Sequence, residues 1–494
     1  MEREGLRGKI MGFLEGESDP KLEAELPYAT MMITLMAASG ITPYESFKRL
    51  RKVDVLSKFK EEGDEIVRQV EVLGNDPLTA MEKRAKSTIS RPYADFLEGY
   101  ISSVRSGGSI INYLTSKLKS IFDEYAAKAR NSVERLETLV EAYMVLLIVI
   151  FCIYILSSVT SPATNMMGDI GLPDTSPLIY PLVLYVIPIF SFFFMYMANI
   201  IRPGTLKGVR KPYFMGVVPL AILVTILAGT YFIPQFSWVT QAMDLSTFVM
   251  GGLVVSSIPS AVVYHLIARR NFSAENAMPS FIRDVTEARR TGISPEKSIA
   301  HAADRRSYGT FTEDLHRINN QIEWGVSLRK IYNDLADWIK SWPVIVDFFI
   351  LVETIEIGGG AADTLGLLAE YSEKIQTIEK TQRDMLKPYI ILPFVWTILM
   401  AFTITFTLET MSQIPIIAAN SIAAPEININ LAKGGGIIQA GIVFHSWLSG
   451  FFIGKVSEGN FASGFKYAAF LALISYLTLI LSSKFVVVIF GGLF

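Results

Sequence analysis

Two stretches of the chain, LPYATMMITLMAASGITPYES at 26–46 and MPSFIRDVTEARRTGISPEKS at 278–298, align without a gap at an offset of 252. Pro27 then matches Pro279, and the tetrapeptide GITP matches GISP. Both stretches read as helices that end in a glycine turn before a proline-led helix. The chain is therefore predicted to contain a tandem repeat of one helical domain.

The proline of each tetrapeptide suits the first position of a helix. Pro43 and Pro295 have no amide hydrogen, and the first residue of a helix needs none. Thr42 and Ser294 are expected to cap the two helices with their side-chain oxygens. Glu45 would complete a capping box with Thr42.

A second match occurs about 65 residues later in each copy, where RSGG (105–108) meets EIGG (356–359) at an offset of 251. The glycines of 358–360 do not read as a phosphate-binding loop, because no lysine follows them and Asp363 would repel phosphate. A helix-to-helix turn that needs a positive φ or a close backbone approach fits both copies. The residues assigned to this domain turn are Gly107, Gly108, Glu356, Gly358 and Gly359.

The charged residues of the 494-residue chain are segregated into two blocks. Residues 1–141 hold 21 of the 45 Lys and Arg and 23 of the 47 Asp and Glu, and residues 269–387 hold 16 and 18. Each block is close to neutral, which argues against nucleic acid as a partner. The rest of the chain is strongly apolar, as expected for membrane-spanning segments that alternate with soluble domains.

Seven apolar stretches are long enough, or nearly so, to cross a bilayer as helices of about 20 residues. The last is interrupted by Lys484 and reads as one span or as a span followed by an apolar tail. The sequence thus predicts an all-α, polytopic membrane protein with about seven transmembrane helices and two homologous helical-bundle cytoplasmic domains. The predicted spans are 142–159, 178–201, 216–234, 246–268, 388–411, 434–455 and 467–494.

The short loops between spans predict the orientation. Loops 202–215 and 455–466 carry lysines and arginines, whereas 160–177 and 235–245 carry none. The positive-inside rule then places the N-terminus and both charged blocks in the cytoplasm and the C-terminus outside the plasma membrane. The predicted organisation is an N-terminal segment 1–25, a first cytoplasmic domain 26–141, four spans within 142–268, a second cytoplasmic domain 269–387 and three spans within 388–494.

Few residues suggest chemistry. The single cysteine, Cys152, excludes an internal disulfide or a cysteine-based metal site. Glu353 and Glu356 lie one helical turn apart without a nearby histidine, so ion pairing or surface exposure is favoured over metal binding or acid–base work. No nucleophile–base set or nucleotide loop is found. The sequence therefore predicts no catalytic residue, no metal and no cofactor.

Three residues of the span 434–455 are expected to act in membrane helix packing. His445 is an ionisable group inside an apolar segment, which is a functional hypothesis by default. An interhelical hydrogen bond is the simpler account. Gly450 and Gly454 form a Gly-x-x-x-Gly pattern that permits close helix contact, within the chain or across a dimer.

The repeated motifs resemble the type II secretion F domain. The resemblance rests on Pro279, the turn 292–295, and Glu356 before its glycines, followed by LLAEYSEK ahead of the span 388–411. NNQIEWGVSL (319–328) is similar to the archaeal members of that family. The first copy departs from the pattern because Arg105 stands where the second has Glu356, which puts a shared role of the acid in doubt.

The resemblance implies a non-enzymatic membrane platform, forming a homodimer above a hexameric secretion-type ATPase in the cytoplasm. Such a platform assembles pilin-like or archaellin subunits into an archaellum or an archaeal type IV pilus, with or without rotation. A polytopic transporter with large cytoplasmic domains is the alternative. Nearly charge-free spans and a duplication that includes a soluble domain speak against it.

Two groups of basic residues are candidates for docking the ATPase. A solvated helix face is the competing interpretation, because most runs of charge are only that. Reversal of charge at Arg289 and Arg290 would separate a platform from a transporter. The candidate docking residues are Lys48, Arg49, Arg51, Lys52, Arg289, Arg290, Arg305 and Arg306.

Overall fold

The computed structural model describes residues 19–167, 181–204, 206, 208–232, 244–358, 360–419 and 430–491. These residues are almost entirely helical, and no β-strand occurs among them. Most of the two predicted outer loops 160–177 and 235–245 lies outside the described residues, as do residues 420–429 and Gly359.

The described helices are numbered here in chain order. They are α1 Pro20–Ala38, α2 Pro43–Leu50, α3 Ser57–Glu71, α4 Pro77–Ser87, α5 Arg91–Arg105, α6 Ile110–Met167, α7 Ile187–Ile201, α8 Lys211–Phe232, α9 Leu245–Arg290, α10 Pro295–Arg305, α11 Thr312–Glu323, α12 Leu328–Trp338, α13 Trp342–Gly358, α14 Ala362–Leu386, α15 Ile391–Ala419, α16 Asn430–Glu458 and α17 Gly464–Gly491.

The chain forms two compact units, and unit 1 combines residues 1–131 with 269–380. We call the first of these segments copy one and the second copy two. Copy one consists of α1 to α5 and the start of α6. Copy two repeats that order with the end of α9, α10 to α13 and the start of α14. The predicted repeat of a helical domain is therefore confirmed.

The helix starts in unit 1 agree with the sequence in part. Pro43 and Pro295 are the first residues of α2 and α10, as predicted. Thr42 Oγ1 accepts a hydrogen bond from the amide of Glu45 at 3.4 Å. The cap predicted at Ser294 is wrong, since its side chain makes no capping hydrogen bond.

Both copies contribute to one apolar core in unit 1. The ring of Tyr28 in copy one packs edge-on against Trp342 of copy two, with centroids 4.7 Å apart. Trp342 Nε1 also donates to the carbonyl oxygen of Val55 at 3.0 Å. Burying one large apolar side chain contributes roughly 1.5–3 kcal/mol, so a shared core binds the copies firmly.

Unit 2 combines residues 132–268 with 381–494 and contains the apolar helices. Six helices among the described residues are long and apolar enough to cross a membrane, and each predicted span except 216–234 overlaps one of them. Helix α8 contains residues 216–232 of that span, but its fully described part, Lys211–Leu227, is shorter. Helix α17 continues unbroken to Gly491, so 467–491 is one helix.

Candidate functional site

Three turns of copy one have equivalents in copy two, and each of these six turns contains a glycine with a positive φ, a conformation that residues with a Cβ rarely adopt. The angles agree closely between copies, which shows that the same turns recur. The pairs are Gly40 and Gly292 at 85° and 86°, Gly74 and Gly325 at 68° and 74°, and Gly107 and Gly360 at 69° and 59°.

The third pair corrects the alignment made from sequence. Gly358 is the last residue of α13, and Gly360 takes the left-handed conformation that Gly107 takes in copy one. The pairing of Gly107 with Gly358 is therefore wrong by two residues. The cause is helix length, because α13 has 17 residues and α5 has 15. Gly108 closes the turn of copy one by donating from its amide to the carbonyl oxygen of Ser103 at 2.9 Å.

The three turns of copy two lie together, and helix α2 of copy one lies beside them. Arg289 Nε, at the end of α9, donates to the carbonyl oxygen of Gly360 at 2.9 Å. Arg329 Nη2, at the start of α12, lies 3.4 Å from Glu356 Oε2 near the end of α13. Arg49 of α2 lies 3.8 Å from Glu353. We call the turns at Gly292, Gly325 and Gly360, together with α2, the turn cluster.

Glu353 is the buried charge of the turn cluster, with only 4% of its side chain exposed. Arg329 forms an ion pair with it, and Arg49 approaches from copy one. Burial raises the pKa of Glu353 above its usual range, and the charge of Arg329 opposes that rise. Removing one partner of a buried ion pair costs about 3–5 kcal/mol. Glu353 and Glu356 therefore join helices by ion pairing, one of the two roles that the sequence favoured.

Copy one holds the same helix pair with the opposite polarity. Arg105, near the end of α5, lies 2.6 Å from Glu82 of α4. In copy two the acid is on α13 and the base is Arg329 on α12. Copy one has Arg105 where copy two has Glu356, and an ion pair nevertheless joins the two helices in each copy: α4 to α5 in copy one and α12 to α13 in copy two.

The basic residues on and after α2 differ in whether they already form ion pairs within the chain or are accessible to an external partner. Lys48 lies 3.1 Å from Glu71, and Arg51 lies 2.7 Å from Asp64. Arg49 faces Glu353, as described above. Lys52 is exposed and makes no ion pair with any described residue. Lys52 is therefore the member of this group most able to meet an external partner.

The basic residues of copy two also differ in their contacts and exposure. Arg289 is half-buried and bonds to the carbonyl oxygens of Gly360 and Ile293, so it serves the fold. Arg290 is exposed and pairs with Glu287 one turn earlier at 3.1 Å. Arg305 and Arg306 both contact the buried Asp284, at 3.2 and 2.7 Å. The structure brings Arg289 and Arg290 to the turn cluster and ties Arg305 and Arg306 to Asp284.

Trp324 is the feature of the turn cluster that the sequence interpretation missed. It directly precedes Gly325 and is 79% exposed. Lys330, two residues into α12, is also exposed and forms no ion pair within the described part of the chain. Tryptophan is enriched among the residues that dominate binding energy at interfaces. The stretch NNQIEWGVSL contains this residue, but its similarity to the archaeal family members does not indicate that the ring is exposed.

In unit 2, His445 belongs to a buried polar group inside the apolar helices. Tyr143 Oη of α6 lies 3.3 Å from His445 Nε2 and 3.0 Å from Ser449 Oγ, both on α16. It also lies 3.1 Å from Ser191 Oγ of α7. The hydroxyl of Tyr143 therefore links three helices, and the sequence interpretation did not include it.

Gly450 and Gly454 lie where α16 packs against α17. A Cβ at Gly450 would overlap the backbone of Ala468, and one at Gly454 would overlap the backbone of Gly464. The Gly-x-x-x-Gly pattern thus serves a contact within the chain. Among the described residues, no group of three or more His, Cys, Asp or Glu side chains is arranged to hold a metal ion.

The fold and the turn cluster define a polytopic helical membrane protein built on a duplicated helical domain. The family described as "Type II secretion system (T2SS), protein F" matches residues 28–157 and 281–408, more than half of the chain. The chain belongs to this family, whose members are membrane platforms of secretion, type IV pilus and archaellum systems. Both matches fall on the two copies and the helices that follow them.

Two curated relatives come from Methanocaldococcus jannaschii. An uncharacterised protein is 22% identical over 94% of this chain and 80% of its own length. Flagella accessory protein J is 19% identical over 73% of this chain, and the match spans 65% of that protein. No solved structure matches the chain at a significant level.

Proposed function

We propose that the chain is a non-enzymatic assembly platform in the plasma membrane. It couples a hexameric cytoplasmic ATPase to the assembly of pilin-like or archaellin subunits into an archaellum or an archaeal type IV pilus. The observation that carries this proposal is the pair of family matches on a duplicated domain whose turns gather exposed basic residues and Trp324. The similarity to flagella accessory protein J favours a filament over a secretion pathway.

The proposed orientation has both copies in the cytoplasm and the C-terminus outside. Its support within unit 2 is a contact between two short basic loops. Arg202, after α7, donates to the carbonyl oxygen of Val456 at 3.0 Å, and Tyr213 Oη donates to Asn460 Oδ1 at 3.0 Å. Loops in contact must lie on the same side of a membrane. The positive-inside rule makes that side the cytoplasm.

The proposed ATPase docking surface is the turn cluster together with Lys52, which lies just after α2. Its accessible members are Lys52, Arg290 and Trp324. Charge reversal at Arg289 is a poor test, because Arg289 joins two turns. The better variant is Lys52→Glu with Arg290→Glu. Lys119→Glu, an exposed lysine on α6 outside the turn cluster, is the matched control. The double variant should lose co-purification of the ATPase, and the control should retain it.

The decisive test of the function is electron microscopy of cells that lack the chain, together with a swimming assay. Filaments should vanish and return when the gene is supplied in trans, and loss of swimming would identify the archaellum. Surface filaments that persist unchanged would overturn the platform and favour the transporter. Normal filaments with the double variant would refute only the docking surface.

A further inference from the structure

Helices α6 and α14 start at equivalent points of the two copies and pack against each other in unit 1. Lys374 Nζ lies 2.6 Å from Asp123 Oδ1, and the rings of Phe122 and Tyr371 have centroids 4.5 Å apart. These partners are 251 and 249 positions apart, close to the repeat offset of 252. Each helix therefore meets nearly the same position of its counterpart.

The register holds further along the two helices. Tyr125 Oη lies 3.5 Å from Glu379 Oε1 in unit 1. In unit 2, Gln382 Nε2 donates to Ser132 Oγ at 3.2 Å. The separations of 254 and 250 again lie within two residues of the repeat offset of 252. The helices run parallel and in register, as equivalent helices do on either side of a twofold axis.

The contacts of this pair favour unlike copies over like copies. Asp123 and Lys374 occupy nearly equivalent positions and carry opposite charges. At the offset of 252, the position equivalent to Lys374 is Phe122 and the position equivalent to Asp123 is Ile375. Two first copies paired in this register would place Asp123 against Phe122, and two second copies would place Lys374 against Ile375. The ion pair therefore forms only between unlike copies, which favours the correct partner.

A second contact points the same way. Arg49 of copy one meets the buried Glu353 of copy two. The positions equivalent to these residues at the offset of 252 are His301 and Ile101. A histidine and an isoleucine form no ion pair, so the charge complementarity exists in only one direction. Each copy has residues suited to the other copy and not to itself.

The paired surface is also filled within one chain. Phe122 and Tyr371 are 0% and 5% exposed, and Tyr28 at the Trp342 contact is 1% exposed. A second chain would have to displace copy two to reach copy one through these residues. Displacement would expose the shared core to water.

We infer that the two F domains have diverged into a mutually specific pair, so that one chain supplies both halves of the paired cytoplasmic domain. The partner of the α6 surface is α14 of the same chain. A homodimer of the kind that the resemblance implies has to use surfaces other than this one. The inference concerns stoichiometry and does not depend on which filament is built.

Cysteine cross-linking of the full-length chain in membranes tests the inference. Cys152→Ser removes the native thiol, and Ser132→Cys with Gln382→Cys places one thiol on each helix without touching Asp123 or Lys374. Oxidation with copper phenanthroline should form a disulfide within single chains, seen as a mobility shift at monomer mass. Two differently tagged chains, one with each cysteine, should form no cross-linked dimer when produced together.

A cross-linked dimer in the mixed sample, at an efficiency like that of the double-cysteine chain, would show pairing between chains and overturn the inference. Failure of the double-cysteine chain to cross-link while both thiols react with maleimide would also overturn it.

Charge exchange is the second readout. Asp123→Lys and Lys374→Asp should each lower the thermal midpoint of the detergent-solubilised chain, and the double exchange should restore it. Two single losses that simply add in the double variant would contradict the proposed specificity.

Discussion

Arg289 Nε donates a hydrogen bond to the carbonyl oxygen of Gly360 at 2.9 Å and so joins the turn after α9 to the turn after α13. The same guanidinium bonds to the carbonyl oxygen of Ile293 within its own turn. One side chain thus donates hydrogen bonds to carbonyl oxygens of two different turns. Arg289 therefore stabilises the fold of the turn cluster, whereas its neighbour Arg290 is exposed.

Arg289→Ala should destabilise the chain by about 1–3 kcal/mol, because a hydrogen bond to a charged donor is lost at each of two carbonyls. The thermal midpoint of the detergent-solubilised protein measures the effect. Arg290→Ala is the control and should change stability by less than about 0.5 kcal/mol, as exposed positions do. Equal midpoints for both variants would remove the structural role of Arg289.

Asp347 predicts a pH dependence of stability in unit 1. Its carboxyl is 4% exposed and accepts a hydrogen bond from Ser372 Oγ at 2.5 Å, and burial raises its pKa to about 7. A raised folded pKa means that the native state holds the proton more tightly than the unfolded chain, whose aspartate titrates near 3.8. The contribution of protonated Asp347 to the free energy of unfolding is complete below pH about 4 and is lost as pH rises through about 7.

Asp347→Asn keeps a side chain that accepts the Ser372 bond and removes the titration. The difference in stability between this variant and the wild type should shift in favour of the variant as pH rises from about 4 to about 8, by up to about 1.4 kcal/mol per pH unit. Thermal midpoints across that range measure it. The control is Asp95→Asn, the exposed position of α5 at the repeat offset, which should give a constant difference. A constant difference for Asp347→Asn as well would contradict the prediction.

The repeat and the membrane helices could be predicted because they depend on local patterns. The GITP and GISP turns recur with φ angles of 85° and 86° at Gly40 and Gly292, and the apolar stretches became helices. The third turn could not be aligned correctly from the sequence. Helix α13 is two residues longer than α5, and a run of three glycines does not show which glycine takes the left-handed conformation. Sequence similarity therefore pairs Gly107 with Gly358, whereas backbone conformation pairs it with Gly360.

The contacts that build the site are long-range and left no local pattern. Arg49 and Glu353 belong to different copies and are 304 positions apart, and nothing in the sequence around either residue predicts their contact. Tyr143 lies in an apolar span, where a tyrosine is ordinary, and only the packing of three helices reveals its partners. Glu409 was also missed as a charge within α15, where it accepts a hydrogen bond from Ser483 Oγ at 3.0 Å.

Gly450→Leu should prevent α16 and α17 from packing, because even a Cβ at this position overlaps the backbone of Ala468. We expect a loss of folded protein, measured as the yield of monodisperse fluorescent fusion in size-exclusion chromatography. Gly436→Ala on the same helix is the control, since a Cβ there meets no atom within 4 Å. A normal yield of Gly450→Leu would show that the two helices can separate without penalty.

Tyr143→Phe removes the hydroxyl that links α6, α7 and α16 and leaves its ring packing in place. Interhelical hydrogen bonds in membranes contribute about 0.6 kcal/mol each on average, so the loss of three contacts should cost about 1–2 kcal/mol. The thermal midpoint in detergent reports it. Tyr196→Phe on α7, whose side chain is 50% exposed, should have little effect. A double variant with His445→Ala that costs no more than Tyr143→Phe alone would show that the two residues act together.

Trp324→Ala tests whether the exposed ring of the turn cluster anchors the ATPase. The ring is 79% exposed, so its removal should change stability by less than about 0.5 kcal/mol. A tryptophan that anchors an interface contributes about 2 kcal/mol or more, which corresponds to a loss of affinity of about 30-fold. The measurement is binding of the purified ATPase to the detergent-solubilised chain. The control is Ile89→Ala, which removes a 63% exposed side chain between α4 and α5, away from the turn cluster. Weakened binding for Trp324→Ala alone would place the docking surface at these turns, whereas unchanged binding for both variants would move it elsewhere on the chain.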